Sequence, residues 1–210
     1  MTSIRHNTSE QPPSGPDDAY LDAARASVLA VGWRRTSLTD VARRAGVSRM
    51  TLYRRWPDMS GLLGDLMLRE WGALVAAELH SEPTAPLGRH AVAAAVVRCT
   101  GAVRDNDLFR KIVEVDPDLL LPYLFERRGR TQDLVLDALA AVLTASRDHP
   151  DDPVRADDAM TLASGVLLTL HGFLFSAPTM TEPVTGGTTR PDLAALDREL
   201  ARLIERYLAP

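Results

Sequence analysis

Cysteine is almost missing from this chain. Cys99 stands alone among 210 residues, which excludes an internal disulfide and a cysteine-rich zinc site. The five histidines show no paired spacing with acids or with Cys99, so no metal is expected. There is no phosphate-cradling glycine loop and no nucleophile elbow. Nothing near Cys99 in sequence supplies the histidine and orienting group that a nucleophile needs. The chain therefore reads as neither an enzyme nor a cofactor carrier. Period-2 apolar alternation bounded by turn residues is also missing, which argues against strands. The opening stretch MTSIRHNTSEQPPSGPDD holds no apolar run that could form a signal peptide, and a reducing cytoplasm is the expected compartment.

Charge is absent over one long stretch. Residues 159–177, AMTLASGVLLTLHGFLFSA, carry no Asp, Glu, Lys or Arg for nineteen residues, near the length that spans a bilayer. His171, several hydroxyl residues and two glycines interrupt the run, and no basic flank orients it as a membrane helix. The expectation is a helix buried on nearly all sides, in a core or a subunit interface, with no membrane partner.

What is present is helical pattern almost throughout. With 45% hydrophobic and 25% charged residues, the chain can bury one sizeable core or two smaller ones. Residues 1–16, rich in Pro, Ser and Thr, read as a disordered arm. Asp17 or Asp18 caps a helix to about Val31, with Leu21, Ala24, Val28 and Val31 on one face and Gly32 as its stop. Ser37 with Asp40 resembles a capping box for a helix over 38–45. Gly46 then makes a left-handed turn, Val47 points inward, and Ser48 caps a third helix reaching Trp56. Asp58 caps a fourth helix to about Leu79, and 80–88 reads as a linker. Further helices are expected over 87–105, 108–115, 117–125 (short or kinked at Pro122), 130–145, 154–175 and 192–208, with an exposed loop over 177–191. The expected class is all-α, with an N-terminal three-helix domain over 17–58 and a larger helical domain over 59–210.

The charge pattern gives the small domain a purpose. Residues 33–56 hold seven arginines against the single acid Asp40, a local +6 in a chain of formal net charge -4, so the remainder carries -10. Two short helices joined by a tight glycine turn are the frame of a helix-turn-helix, whose second helix enters a major groove. A basic patch on an acidic chain fits a polyanion bound at one place.

Residues 36–67, TSLTDVARRAGVSRMTLYRRWPDMSGLLGDLM, resemble the DNA-binding domain of the tetracycline-repressor (TetR) family of bacterial regulators. The core VARRAGVS…TLYRRW carries that resemblance, and helix order and length extend it over most of the chain. It implies an all-helical homodimer with a small DNA-reading domain and a larger domain that binds a small ligand and dimerises through its last two long helices. Residue by residue, it implies that Arg49, Met50 and Tyr53 face bases or the groove. Thr51, with Tyr53 in many members, touches phosphate; Thr39 reaches the groove; and Ser37 and Ser48 lie near the backbone. Arg54 and Arg55 are either phosphate contacts or solvent-facing charges. Where family members commonly place a phosphate-holding lysine, this chain has Met59.

For the larger domain, Met67, Trp71, Cys99, Phe109, Tyr123, Phe125, His171 and Phe175 are the aromatic, sulfur and imidazole groups suited to line an apolar ligand cavity. The helices over 154–175 and 192–208 are the candidates for a homodimer interface. The expected function is a sequence-specific transcriptional regulator, a repressor released from a palindromic operator by a small-molecule effector. An effector-independent regulator or activator, and a helical module whose arginines meet an acidic protein, are the alternatives.

Overall fold

The computed structural model describes residues 16–79, 87–181 and 190–210, and among them every regular element is helical. The helices are α1 (Pro16–Val31), α2 (Leu38–Arg44), α3 (Arg49–Arg55), α4 (Met59–Leu79), α5 (Arg89–Asp105), α6 (Asp107–Val115), α7 (Leu121–Phe125), α8 (Arg130–Ala145), α9 (Ala159–Thr181) and α10 (Leu193–Tyr207). Short 3-10 turns at Pro117–Leu119 and Ser146–Asp148 join some of them. The chain divides into two compact units between Leu66 and Met67, inside α4. The sequence reading draws its boundary at 58/59. Leu62, Leu63 and Leu66 are buried and keep the first two turns of α4 with the small unit.

In the first unit, Leu21, Ala24 and Val28 of α1 are buried, whereas Val31 is 37% exposed at the helix end. Gly32 stops α1 at φ +86°, its N–H donating to the Val28 carbonyl. The Thr36 hydroxyl donates back to the Gly32 carbonyl at 2.8 Å, fixing the exit from the turn. Ser37 caps α2, its Oγ accepting from the Asp40 N–H at 3.2 Å. The aspartate does not complete a capping box: its carboxylate accepts a hydrogen bond from the Ser37 hydroxyl at 2.5 Å instead of reaching back to the backbone. At the other end of α2, Gly46 sits at φ +69°. The Val47 N–H donates to the Ala42 carbonyl and the Gly46 N–H to the Arg43 carbonyl, the paired bonds of a Schellman turn. Leu38, Val41, Ala42 and Leu52 are buried along the α2–α3 pair, each large side chain contributing roughly 1.5–3 kcal/mol.

The second unit is built on α5, α8, α9 and α10. Val92, Val96, Leu136, Leu139, Leu143, Leu162, Val166, Leu200 and Ile204 form its continuous core. Close packing at one crossing requires a glycine: a Cβ on Gly165 of α9 would lie 2.3 Å from the Tyr207 hydroxyl of α10. The Arg155 guanidinium covers the outer face of that ring at 4.5 Å.

Several elements differ from the sequence reading. The helix expected from Val154 begins at Ala159. Asp158 is its cap, accepting from the Thr161 N–H and hydroxyl, both at 2.7 Å, while Val154 is buried in the preceding loop by backbone bonding to Ser146. At its other end α9 continues through Pro178 to Thr181, into the stretch expected to be loop. The hydroxyls of Thr179 and Thr181 hold that last turn by donating to the Ser176 and Pro178 carbonyls. The 117–125 helix divides into the 3-10 turn and α7. Nor is α9 buried on nearly all sides within this chain: only 28% of the residues in its most apolar stretch, of mean hydropathy 1.5, are buried, and Leu168 is 72% exposed. The expected arm at 1–15, most of the 80–88 linker and 182–189 of the expected loop lie outside the described residues.

Candidate functional site

A seven-residue helix such as α3 is too short to hold itself together in water. Its ends are fixed instead. Ser48 accepts from the Thr51 N–H at 3.1 Å, and Trp56 closes the last turn by donating its N–H to the Leu52 carbonyl at 2.9 Å. Leu52 is its one buried residue, so the rest of α3 is available to solvent. Met50 is 69% exposed. Arg49 lies one turn from Tyr53, with its guanidinium 4.8 Å over the ring and Nη2 donating to the phenol oxygen at 3.0 Å. Stacking removes rotamer freedom before any ligand arrives and leaves the remaining N–H groups of the fork free. The hydroxyls of Ser48 and Thr51 lie 2.8 Å apart, so one donates to the other and one proton remains for an outside acceptor.

The expected site residues do not all stand alike. Thr39 is exposed at the start of α2, but Ser37 directs its hydroxyl to Asp40. That hydrogen bond, helped by Arg43 at 2.8 Å, holds the Asp40 carboxyl below its ordinary range. Arg54 is exposed and, among the described residues, has no side-chain partner; Arg44 is the same. Arg55 is engaged. Its Nε donates to Asp17 of α1 at 2.8 Å, Nη2 lies 3.6 Å from Asp65 of α4, and the guanidinium covers the Trp56 ring at 4.8 Å. Asp65 also accepts from the Trp56 indole at 2.6 Å, and Tyr20 meets that indole edge-on at 6.2 Å. Arg55 thus ties three helices of the unit together, an arrangement that nothing in sequence signals because its partner Asp17 is 38 residues away. A groove of about 350 Å³ between the end of α1 and α2, which gathers Arg35, Arg43 and Arg44 around Asp40, is likewise invisible in sequence.

In the second unit, the residues proposed to line a cavity separate into groups. Trp71, Phe109, Phe175 and His171 form a continuous chain of rings, with successive centroids 5.9, 5.7 and 5.9 Å apart. Met67, one turn before Trp71, is buried. Burial holds the His171 imidazole below its ordinary range, so it is neutral at pH 7. Cys99 is buried on α5; burial first and the nearby Glu78 second push its thiol up to about 11, which leaves it unreactive. Tyr123 lies under the Arg127 guanidinium at 5.5 Å and against Gly129. Phe125 does not belong with them: it ends the five-residue α7 and is 80% exposed, so it lines no interior of this chain. Sequence reasoning did not anticipate the state of the Trp71 indole nitrogen, which is buried and has no hydrogen-bond partner among the described residues.

A seven-residue helix with one buried side chain, an exposed arginine at each end and a Schellman turn before it has the form of the second helix in helix-turn-helix DNA-binding proteins. Residues 21–66 match the family described as bacterial regulatory proteins, tetR family. Over 188 residues the chain is 33% identical to an uncharacterized HTH-type transcriptional regulator of Mycobacterium bovis, covering 90% of this chain and 92% of the relative. Two solved structures share the fold. The R. erythropolis transcriptional repressor QsdR superposes at TM-score 0.65 with 18% identity, covering 92% of this chain and 94% of that one. The repressor AlkX from Dietzia superposes at 0.61 with 23% identity, covering 92% and 95%. The chain belongs to the TetR family: it is a DNA-binding transcriptional regulator and not an enzyme.

Proposed function

We propose that the protein is a homodimeric repressor that holds a palindromic operator and releases it when a small-molecule effector binds the second unit. Arg49, Met50 and Tyr53 face the bases, with the Arg49 fork suited to guanine O6 and N7. Ser48, Thr51 and Thr39 present hydroxyls to the DNA, and Arg54 supplies sequence-independent phosphate attraction. Arg55 is assigned to the Asp17–Asp65 tie and leaves the backbone contacts to others; with Met59 in place of the family's lysine, Arg54, exposed on α3, is the cation assigned to that task.

The observation that carries the reading is the outer face of α9. Leu168 at 72% exposure and the open Gly172 lie one turn apart on a helix with no formal charge from Ala159 to Thr181. Leu203 of α10 adds a further apolar side chain at 50% exposure. An uncharged face of this kind calls for a cover, and a second copy of the same face supplies one with two-fold symmetry. Two-fold symmetry places two copies of α3 one helical turn of DNA apart, roughly 34 Å, on an inverted repeat. Repression is supported by QsdR and AlkX, each described as a repressor. Release follows from population shift: the effector binds more tightly to the dimer geometry whose reading heads do not match successive grooves. Such a regulator works in the cytoplasm, where the chromosome is.

The test is selection of bound DNA from a random pool, followed by titration of the winner against salt. An inverted repeat, bound by two copies with affinity falling steeply as salt rises, is the expected outcome. Enrichment of no sequence, or of a single unrepeated site bound by one copy, would overturn the reading.

A further inference from the structure

Among the described residues, five buried side-chain nitrogens have no hydrogen-bond partner. Four are Nε atoms of Arg89, Arg104, Arg147 and Arg155, whose guanidinium groups all meet a carboxylate or a carbonyl. The fifth is Trp71 Nε1, and an indole has no second polar atom through which to compensate. A tryptophan placed in a core for packing alone normally finds an acceptor for its N–H. Trp71 instead stands at the end of the ring chain: Phe109 of α6 meets it edge-on at 72°, and Phe175 and His171 of α9 continue the line. Along its whole length α9 brings no Asp, Glu, Lys or Arg to these rings. Three helices thus converge on an uncharged aromatic wall with one shielded, unanswered donor.

We propose that Trp71, Phe109, His171 and Phe175 wall a site for a neutral, flat apolar effector whose oxygen accepts the Trp71 indole N–H. The inference rests on the reading of the second unit as effector-binding and gives that effector its chemistry. Aromatic edges and faces take a flat hydrocarbon body, and the indole takes a ketone, ether or phenol oxygen. A carboxylate finds no counter-charge on α9, which favours a neutral acceptor there.

The full chain, labelled with nitrogen-15, has three indole resonances, from Trp33, Trp56 and Trp71. Loss of one in Trp71→Phe assigns it. Acetophenone, ethylbenzene and benzoate are matched probes: a neutral acceptor, the same shape without one, and an anion. Acetophenone should move the Trp71 resonance downfield and bind roughly 3- to 10-fold more tightly than ethylbenzene, the net value of one buried hydrogen bond. In Trp71→Phe that preference should fall to about onefold while ethylbenzene still binds, which also shows that the variant is folded. Benzoate should not compete. Equal binding of acetophenone and ethylbenzene, tighter binding of benzoate, or an unmoved Trp71 resonance at millimolar acetophenone would overturn the site.

Operator binding measured on the same samples keeps the two readings apart. A compound that frees the DNA while the Trp71 resonance stays in place overturns this site and leaves effector control standing. Saturating acetophenone at Trp71 with unchanged operator affinity leaves the site standing and overturns its coupling to the operator.

Discussion

The two helices that matter most, α3 and α9, are stabilised in opposite ways. With seven residues and Leu52 as its one buried side chain, α3 owes its place to what closes its ends: the Schellman turn before it, the Ser48 cap and the Trp56 anchor behind it. With 23 residues, α9 is held by packing along one face, where Leu162, Ala163, Val166, Leu167, Leu174 and Ala177 are buried, and its opposite face is apolar yet open. A helix fixed at its ends has its outer side chains free to be chosen for a ligand. One fixed along its side with an uncharged outer face suits the second protein surface proposed for it.

The largest break in that contrast is Trp56→Ala. It removes a buried indole together with its bond to Asp65 and its contact with Tyr20, and should cost about 3–5 kcal/mol in the first unit. Operator binding should disappear while the sedimentation mass of the protein is unchanged. Next comes Arg49→Ala. Measured against single-base variants of the selected operator, it should lose about 1–3 kcal/mol of discrimination at one base pair, whereas Arg54→Ala should weaken every sequence alike and lower the salt slope by about one. Equal losses at every base pair for both would contradict the division of roles on α3.

Ser48→Ala removes an end closure and should cost about 1 kcal/mol, read from urea unfolding. The smallest effect is a pH dependence from His171. The folded chain holds its imidazole below the ordinary 6.5, so the unfolded chain takes up a proton that the folded chain refuses. Stability should therefore fall as pH drops below 6.5 and level off beneath the folded value. His171→Phe should flatten the fall of Tm below pH 6.5.

Local chemistry was readable where it is written locally. The stop at Gly32, the turn at Gly46, and the caps at Ser37, Ser48 and Asp58 each depend on residues within three or four positions, and each makes the expected bond or angle. The bounds of α8 agree with the expected 130–145. The start of α9 was not legible: Val154 continues the apolar pattern, yet its burial comes from a loop bonded to Ser146, and only the Asp158 cap sets the true beginning. The stretch from Ala177 read as loop, yet two threonine hydroxyls support another turn of α9 there. Arg55 read as a possible DNA contact because its partners, Asp17 and Asp65, come from α1 and α4. Phe125 read as cavity-lining because composition carries no sign of which side of a five-residue helix faces water.

The most direct measurement is on Leu168→Arg, a change at a position so exposed that the fold of one chain should tolerate it. Sedimentation equilibrium and binding to the full inverted repeat and to its half-site would be followed together. If α9 joins two copies and α3 reads DNA, the variant should sediment as a monomer, keep its half-site affinity and lose its preference for the full repeat. A variant that remains a dimer, or one that loses the half-site as well, would contradict that division of labour.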